Sequence, residues 1–374
     1  MVTGGLRADA VFEGGGVKGI GLVGAVAVAE EKGYRWSNVA GTSAGAIVAC
    51  LVAAGYSAAE LKQVMAELDY NKFKDSSLMD RVPVVGPLSR LIFEKGIYEG
   101  KYFESWIKGL LLKKNIRTFG DLVMDEFKND ERYRFKLRVI ASDISRGRML
   151  VLPQDISDYG VRPEDLSVAA AIRMSMSIPF FFEPVTIANM KTHPESYVVD
   201  GGVLSNFPLW LFDTDGGEPG WPTIGFKLVE PEEQVEVAHK VRGPISLLAA
   251  LFGTMMEAHD ARYIKDENFV RTIPIPTLGV GTTEFNITRE RSEALYQSGR
   301  DAAEKFFSTW NFTDYVNRYR RGKRSAGRSQ RLRPTPGCGP RREHLLPGER
   351  VVAPERLEER AEVGQRGHEG ECES

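Results

Sequence analysis

The sequence predicts a layered α/β fold built on a largely parallel sheet. Three observations carry this. Short apolar strands alternate with helical stretches from Ala8 to Thr309, the pattern of successive βαβ units. Glycine clusters stand at the first two strand-to-helix junctions, Gly14-Gly15-Gly16 and Gly41-Thr42-Ser43-Ala44-Gly45. Of the 374 residues, 42% are hydrophobic and 27% charged, ordinary for a globular protein. That balance excludes collagen-like, wholly disordered and disulfide-scaffold chains.

Taken in order, residues 8–12 read as a strand cut off by Glu13 and three glycines. Residues 19–32 carry Ile20, Leu22, Val23, Val26 and Ala27 at helical spacing and stop at Gly33. Residues 36–40 form a second strand, and 44–54 a small-residue helix ended by Gly55. Ser57 with Glu60 is a capping box opening a helix to about Leu68. Residues 71–101, punctuated by Pro83, Gly86, Pro87, Gly96 and Gly100, read as an irregular loop with one short helix. A helix over 102–112, strands over 134–142 and 149–152, and a helix over 163–176 follow. An aromatic loop covers 177–185, then strands at 197–199 and Thr223–Val229, a helix over 244–264, a strand over 269–273 and a final helix, Arg289–Thr309.

The formal net charge of −2 conceals a polarised C-terminus. Residues 317–342 hold ten Lys and Arg and no acid, and residues 343–374 hold nine Glu against four Arg. Rich in Arg, Pro, Gly and Glu and without periodicity, this stretch is expected to be a disordered tail, 317–374, behind one folded domain, 1–316. The domain is mildly acidic, so no nucleic-acid partner is expected. The basic run reads either as a solvated tail or as a contact for an anionic membrane surface. Apolar stretches around 47–54 and 247–252 fall far short of a spanning helix of ~20 residues. No secretory signal is read at the N-terminus. Cys50, Cys338 and Cys372 are too few and too scattered for a bridge framework or a metal cluster. A cytoplasmic protein is expected, in peripheral contact with membranes at most.

Three places carry chemistry. Gly41-Thr42-Ser43-Ala44-Gly45 is a Gly-x-Ser-x-Gly between strand and helix, a turn that exposes the serine oxygen at a helix N-terminus. Gly14-Gly15-Gly16-Val17-Lys18-Gly19 can turn backbone N–H groups toward one anion, either a phosphate or the oxyanion of a tetrahedral intermediate. The same residues fit a dinucleotide fingerprint, Gly14-x-Gly16-x-x-Gly19, and so an oxidoreductase. That reading wants an acid at the end of the second strand, where this chain has Ala40-Gly41-Thr42-Ser43. Lys18 reads equally as a solvated lysine and as an anion or phosphate contact. Asp200-Gly201-Gly202 follows a strand and reads alone as an ordinary turn. The five histidines, His193, His239, His259, His344 and His368, have no suggestive neighbours.

In this order, the glycine loop, the serine elbow one helix later and the distal Asp200-Gly201-Gly202 resemble the patatin-like phospholipase family. Residues 177–184, Ser-Ile-Pro-Phe-Phe-Phe-Glu-Pro, are similar to the family's segment before the aspartate strand. Glu13 stands where aspartate is frequent and Lys18 where arginine is frequent. The resemblance implies a three-layer α/β/α fold and a Ser–Asp dyad, with Ser43 as nucleophile and Asp200 as base. It implies an oxyanion hole from the amides of Gly15, Gly16 and Val17, with Gly41, Gly45, Gly201 and Gly202 supporting the turns. The expected substrate is a phospholipid or other acyl lipid, with no metal and no cofactor. A lipid groove would draw on Leu88, Leu91, Ile92 and Phe93, a lid-like segment, and on residues 180–182. A catalytically inactive lipid-binding protein is the other alternative.

Overall fold

The computed structural model describes residues 5–68, 100–179, 181–189, 193–214, 218–230, 253–254, 266–282, 284 and 286–321. The lid-like candidates, the helix over 244–264 except residues 253–254, His239, His259, Phe180 and the tail beyond 321 lie outside the described residues.

Eight strands of the described residues form one sheet: β1 (Leu6–Phe12), β2 (Tyr34–Thr42), β3 (Leu137–Asp143), β4 (Arg148–Leu152), β5 (Val185–Asn189), β6 (His193–Asp200), β7 (Thr223–Val229) and β8 (Thr272–Pro276). Its order is β5-β6-β3-β2-β1-β7-β8, with β4 against β3. The five strands from β3 to β8 through the centre run parallel, while β4, β5 and β6 pair antiparallel. Helices lie on both sides, which makes the sheet the middle of three layers.

The helices are α1 (Gly19–Glu31), α2 (Ala44–Ala53), α3 (Ala58–Ala66), α4 (Lys101–Lys113), α5 (Val168–Ser175), α6 (Asp266–Phe269), α7 (Arg289–Thr309) and α8 (Phe312–Tyr315). Strand alternation divides the core. Ala10, Phe12, Val39, Val139 and Ala141 face the main core with α1 and α2. Val11, Ala40 and Ile140 point the other way, under Leu209, Leu211 and Phe212. α1 and α2 are buried almost throughout, which is why their apolar residues run round the helix instead of forming one stripe. α1 packs on α7 at backbone distance: a Cβ on Gly24 would lie 1.9 Å from the Tyr296 carbonyl oxygen, and one on Gly299 the same distance from that of Gly21.

Four expectations need correction. The helix over 163–176 is split: Pro163–Asp165 is a separate tight turn, Leu166 is extended, and Ser167 caps α5 by accepting from the Ala170 amide. A serine hydroxyl that satisfies an orphan amide starts a helix where it stands. The aromatic loop runs into a strand, β5, that polar Thr186 and Asn189 conceal. β8 occupies Thr272–Pro276, not 269–273; its Pro274 and Pro276 are tolerated because it lies at the end of the strand order. Order also continues past the expected boundary at 316, through a π-helical turn over Val316–Arg320 whose Arg320 reaches Asp213 at 2.7 Å.

Candidate active site

The register of β3 brings the site together. β4 occupies one edge of β3 from Val139 to Asp143. The opposite edge is shared: β2 pairs with residues 137–140 and β6 with 141–143. The two strands therefore meet end to end, Thr42 opposite Ile140 and Asp200 opposite Ala141. The next residue after Thr42 is Ser43. Contact across the junction is close, for a Cβ on Gly201 would lie 2.9 Å from Thr42 Cγ2.

Ser43 adopts φ 53° and ψ −127°, a conformation L-residues rarely hold. This is the strained elbow between β2 and α2, and it sets the side chain at the α2 N-terminus, where the dipole favours negative charge. The turn closes only because its flanks are glycine. A Cβ on Gly41 would lie 2.3 Å from the Gly45 carbonyl oxygen, and one on Gly45 would lie 2.4 Å from those of Phe12 and Glu13. The Ser43 amide donates to Ser175 Oγ at 2.9 Å, and its hydroxyl faces Met176 Sδ at 3.6 Å.

Asp200 is fully buried. Its Oδ1 accepts from the Gly202 amide at 2.8 Å, and its own amide donates to the Ser177 carbonyl at 2.9 Å. Its Oδ2 has no partner in hydrogen-bond geometry among the described residues. Burial pushes the carboxyl up to about 7, although the nearby Ser43 hydroxyl and the Gly202 amide favour the charged form. A buried, unpartnered carboxylate oxygen next to a serine hydroxyl can take up a proton.

The glycine loop lies against the serine: a Cβ on Gly14 would sit 3.2 Å from Ser43 Cβ. Gly14 is held by Asn206, which receives its amide on the main-chain carbonyl and donates from Nδ2 to its carbonyl at 3.1 Å. Glu13 is buried, pairs with Lys227 at 2.6 Å and accepts from the Leu228 amide. The amides of Gly15 and Gly16 meet no acceptor among the described residues. Val17 departs from expectation: its amide donates to the Thr282 carbonyl at 3.2 Å, so it is engaged in bracing the loop. That carbonyl lies over Gly16, whose φ of +57° and whose position, 1.9 Å from Cβ site to oxygen, both require glycine.

The Lys18 Nζ pairs with half-exposed Glu230 at 3.2 Å, and the lysine side chain is 12% exposed. Phe182 is core, and Phe181 is half-buried against that core. Sequence reasoning missed Ser175, Met176, Asn206 and Thr282. Asn206 shares the turn after Asp200-Gly201-Gly202, but no periodicity or spacing marks the other three. Among the described residues no three His, Cys, Asp or Glu side chains gather as a metal site would require. No helix among them is long and apolar enough to cross a membrane.

A family model described as patatin-like phospholipase matches residues 10–213. YqhO of Bacillus subtilis (strain 168) is 42% identical over 310 residues, covering 81% of this chain and 99% of that protein. A protein of Invertebrate iridescent virus 6 named "Probable lipid hydrolase 463L" is 26% identical over 202 residues, covering 53% of this chain and 61% of its own. Among solved structures, VipD from Legionella pneumophila superposes with a TM-score of 0.50 at 19% identity, covering 82% of this chain and 67% of VipD. This last likeness concerns the fold.

Proposed function

The chain belongs to the patatin-like phospholipase family, and from that premise we propose that it is a serine acyl hydrolase cleaving ester bonds of phospholipids or related lipids. The observation that carries the proposal is the end-to-end meeting of β2 and β6 on β3, which sets the orphaned Asp200 oxygen beside Ser43. The name of the viral relative, a probable lipid hydrolase, supports the same substrate class.

In this reading the Ser43 hydroxyl turns from Met176 Sδ to Asp200 Oδ2. Oγ attacks the acyl carbonyl carbon while Asp200 takes the proton. The carbonyl oxygen becomes an oxyanion and accepts from the Gly15 and Gly16 amides, aided by the α2 dipole. Collapse of the tetrahedral intermediate expels the alcohol, which receives the proton from Asp200. Water then gives a proton to Asp200 and attacks the acyl-enzyme; as this second intermediate collapses, Asp200 returns the proton to Ser43 Oγ and the fatty acid leaves. A carboxylate of ordinary acidity is a feeble base for a hydroxyl. The raised Asp200, at about 7, is matched to work near neutrality.

Labelling with a fluorophosphonate probe, with the modified residue identified, tests the assignment. The probe should react at Ser43. Ser43→Ala and Asp200→Asn should each abolish labelling and ester hydrolysis, and His259→Ala should leave most activity. Loss on His259→Ala with Asp200→Asn tolerated would overturn the dyad.

A further inference from the structure

The turn that ends α5 touches the dyad at three consecutive residues. Ser175 Oγ receives the Ser43 amide at 2.9 Å, Met176 Sδ faces Ser43 Oγ at 3.6 Å, and the Ser177 carbonyl receives the Asp200 amide at 2.9 Å. The turn itself is braced. Ser177 Oγ donates to the Arg173 carbonyl at 2.8 Å and accepts from the Arg173 guanidinium, which also donates to the Glu183 carbonyl at 2.9 Å. Ser175 and Ser177 are fully buried.

Of these contacts, the one from Ser175 bears on a strained backbone. Ser43 holds its left-handed φ only while the surrounding structure over-determines it. Its amide is buried and lies outside the α2 hydrogen-bond ladder, so without Ser175 it would have no acceptor. A buried amide without an acceptor is relieved by rotating the peptide, and that rotation swings the Ser43 side chain away from Asp200 and the glycine loop. The same bond means that the Ser43 amide cannot serve as an oxyanion donor, which leaves that task to Gly15 and Gly16.

We propose that Ser175 is a positioning residue for the nucleophile, holding the elbow in its reactive conformation through the Ser43 amide; this rests on the reading of Ser43 as nucleophile. Ser175 touches no substrate, and its effect is on the aim of Ser43 Oγ.

The test compares wild type with Ser175→Ala, Ser175→Thr and Ser175→Cys. It measures the fluorophosphonate labelling rate at Ser43, kcat and KM on a short soluble ester, and Tm. Ser175→Ala should slow labelling and lower kcat by about ten- to hundredfold, the scale of a small misplacement of a reacting group, with KM nearly unchanged. Ser175→Thr, which keeps an oxygen acceptor, should restore most of the rate, and Ser175→Cys, a weak acceptor, should not. If Ser175→Ala does not fold, the Thr and Cys variants decide: a Cys variant as fast as the Thr variant overturns the proposal. Wild-type rates in Ser175→Ala, or a loss confined to KM, also overturn it while leaving the nucleophile assignment intact. An active wild type that does not label at Ser43 overturns that assignment, and this proposal with it.

Discussion

Asp200→Asn should destroy activity and stabilise the fold, and the gain should depend on pH in a defined way. In the native protein burial lifts the Asp200 carboxyl from 3.8 to about 7. Each unit is worth about 1.4 kcal/mol, so the ionised form costs the native state at most about 4 kcal/mol relative to the unfolded chain. Asparagine keeps the oxygen that accepts from the Gly202 amide at 2.8 Å and carries no charge. It places an NH2 where Oδ2 lacks a partner, a penalty of about 1–3 kcal/mol that offsets part of the gain. The expected net stabilisation at pH 8 is about 1–3 kcal/mol, or several degrees in Tm. The folded state binds the proton more tightly than the unfolded one. Wild-type stability therefore falls as pH rises from about 4 to about 7 and is flat above, as far as this group contributes. The asparagine protein lacks that decline. Thermal denaturation of both proteins at intervals from pH 5 to 8.5 should show a Tm gap that widens up to about pH 7 and then stays constant. A gap that is absent, or equal at pH 5 and pH 8, would refute a buried Asp200 with raised affinity for its proton.

Two further outcomes follow from the same geometry. The pH profile of kcat/KM on a soluble ester should rise with a midpoint near 7, because Asp200 acts only when ionised; a limb centred near 4 would count against Asp200 as base. Gly24→Ala and Gly299→Ala should each cost several kcal/mol by chemical denaturation, about the scale of severe overpacking, because their Cβ atoms would fall 1.9 Å from carbonyl oxygens of the facing helix. Gly109→Ala, with open space around it on α4, is the control and should leave stability unharmed or slightly raised.

What could be read from the sequence was whatever a residue type announces at its own position. Three glycines and a Gly-x-Ser-x-Gly mark places where backbone must approach backbone, and the structure has close approaches at Gly16, Gly41 and Gly45. Short apolar runs located β1, β2, β3 and β7; β1, β2 and β3 present buried residues to both core faces, and β7 to the main core. β5 and the shifted β8 escaped, since a strand at the end of the sheet order carries polar residues or prolines that imitate a loop. The long helix was read through Ser167 because its apolar spacing continues, whereas one hydroxyl-to-amide bond ends the register. At the site, the partners that escaped act through groups the sequence does not distinguish. Thr282 contributes its main-chain carbonyl, which every residue has. Ser175 contributes one hydroxyl among many, and only the fold sets it against Ser43. The Lys18–Glu230 pair joins the glycine loop to the end of β7, two segments no local pattern connects.

Asp9 shows why the carboxyl's acidity alone does not locate the site. It too is buried and raised by burial to about 7, yet it lies at the middle of β1, before the glycine loop that follows Phe12. Its Oδ1 accepts from the Asn38 amide at 3.0 Å, its amide donates to the Pro222 carbonyl at 2.8 Å, and Trp221, Arg7 and Arg138 all favour its charged form. Its surroundings serve the aspartate. Asp200 has a similar pKa for the same reason, but it retains an oxygen that the described fold leaves unserved, beside a serine in a strained turn. The difference comes from topology. Because β4 fills one edge of β3, β2 and β6 must divide the other, and the point where they abut is where a carboxylate and a hydroxyl from distant parts of the chain can share a proton. Burial raises either aspartate; in the proposed mechanism only the shared edge gives one of them a hydroxyl to deprotonate.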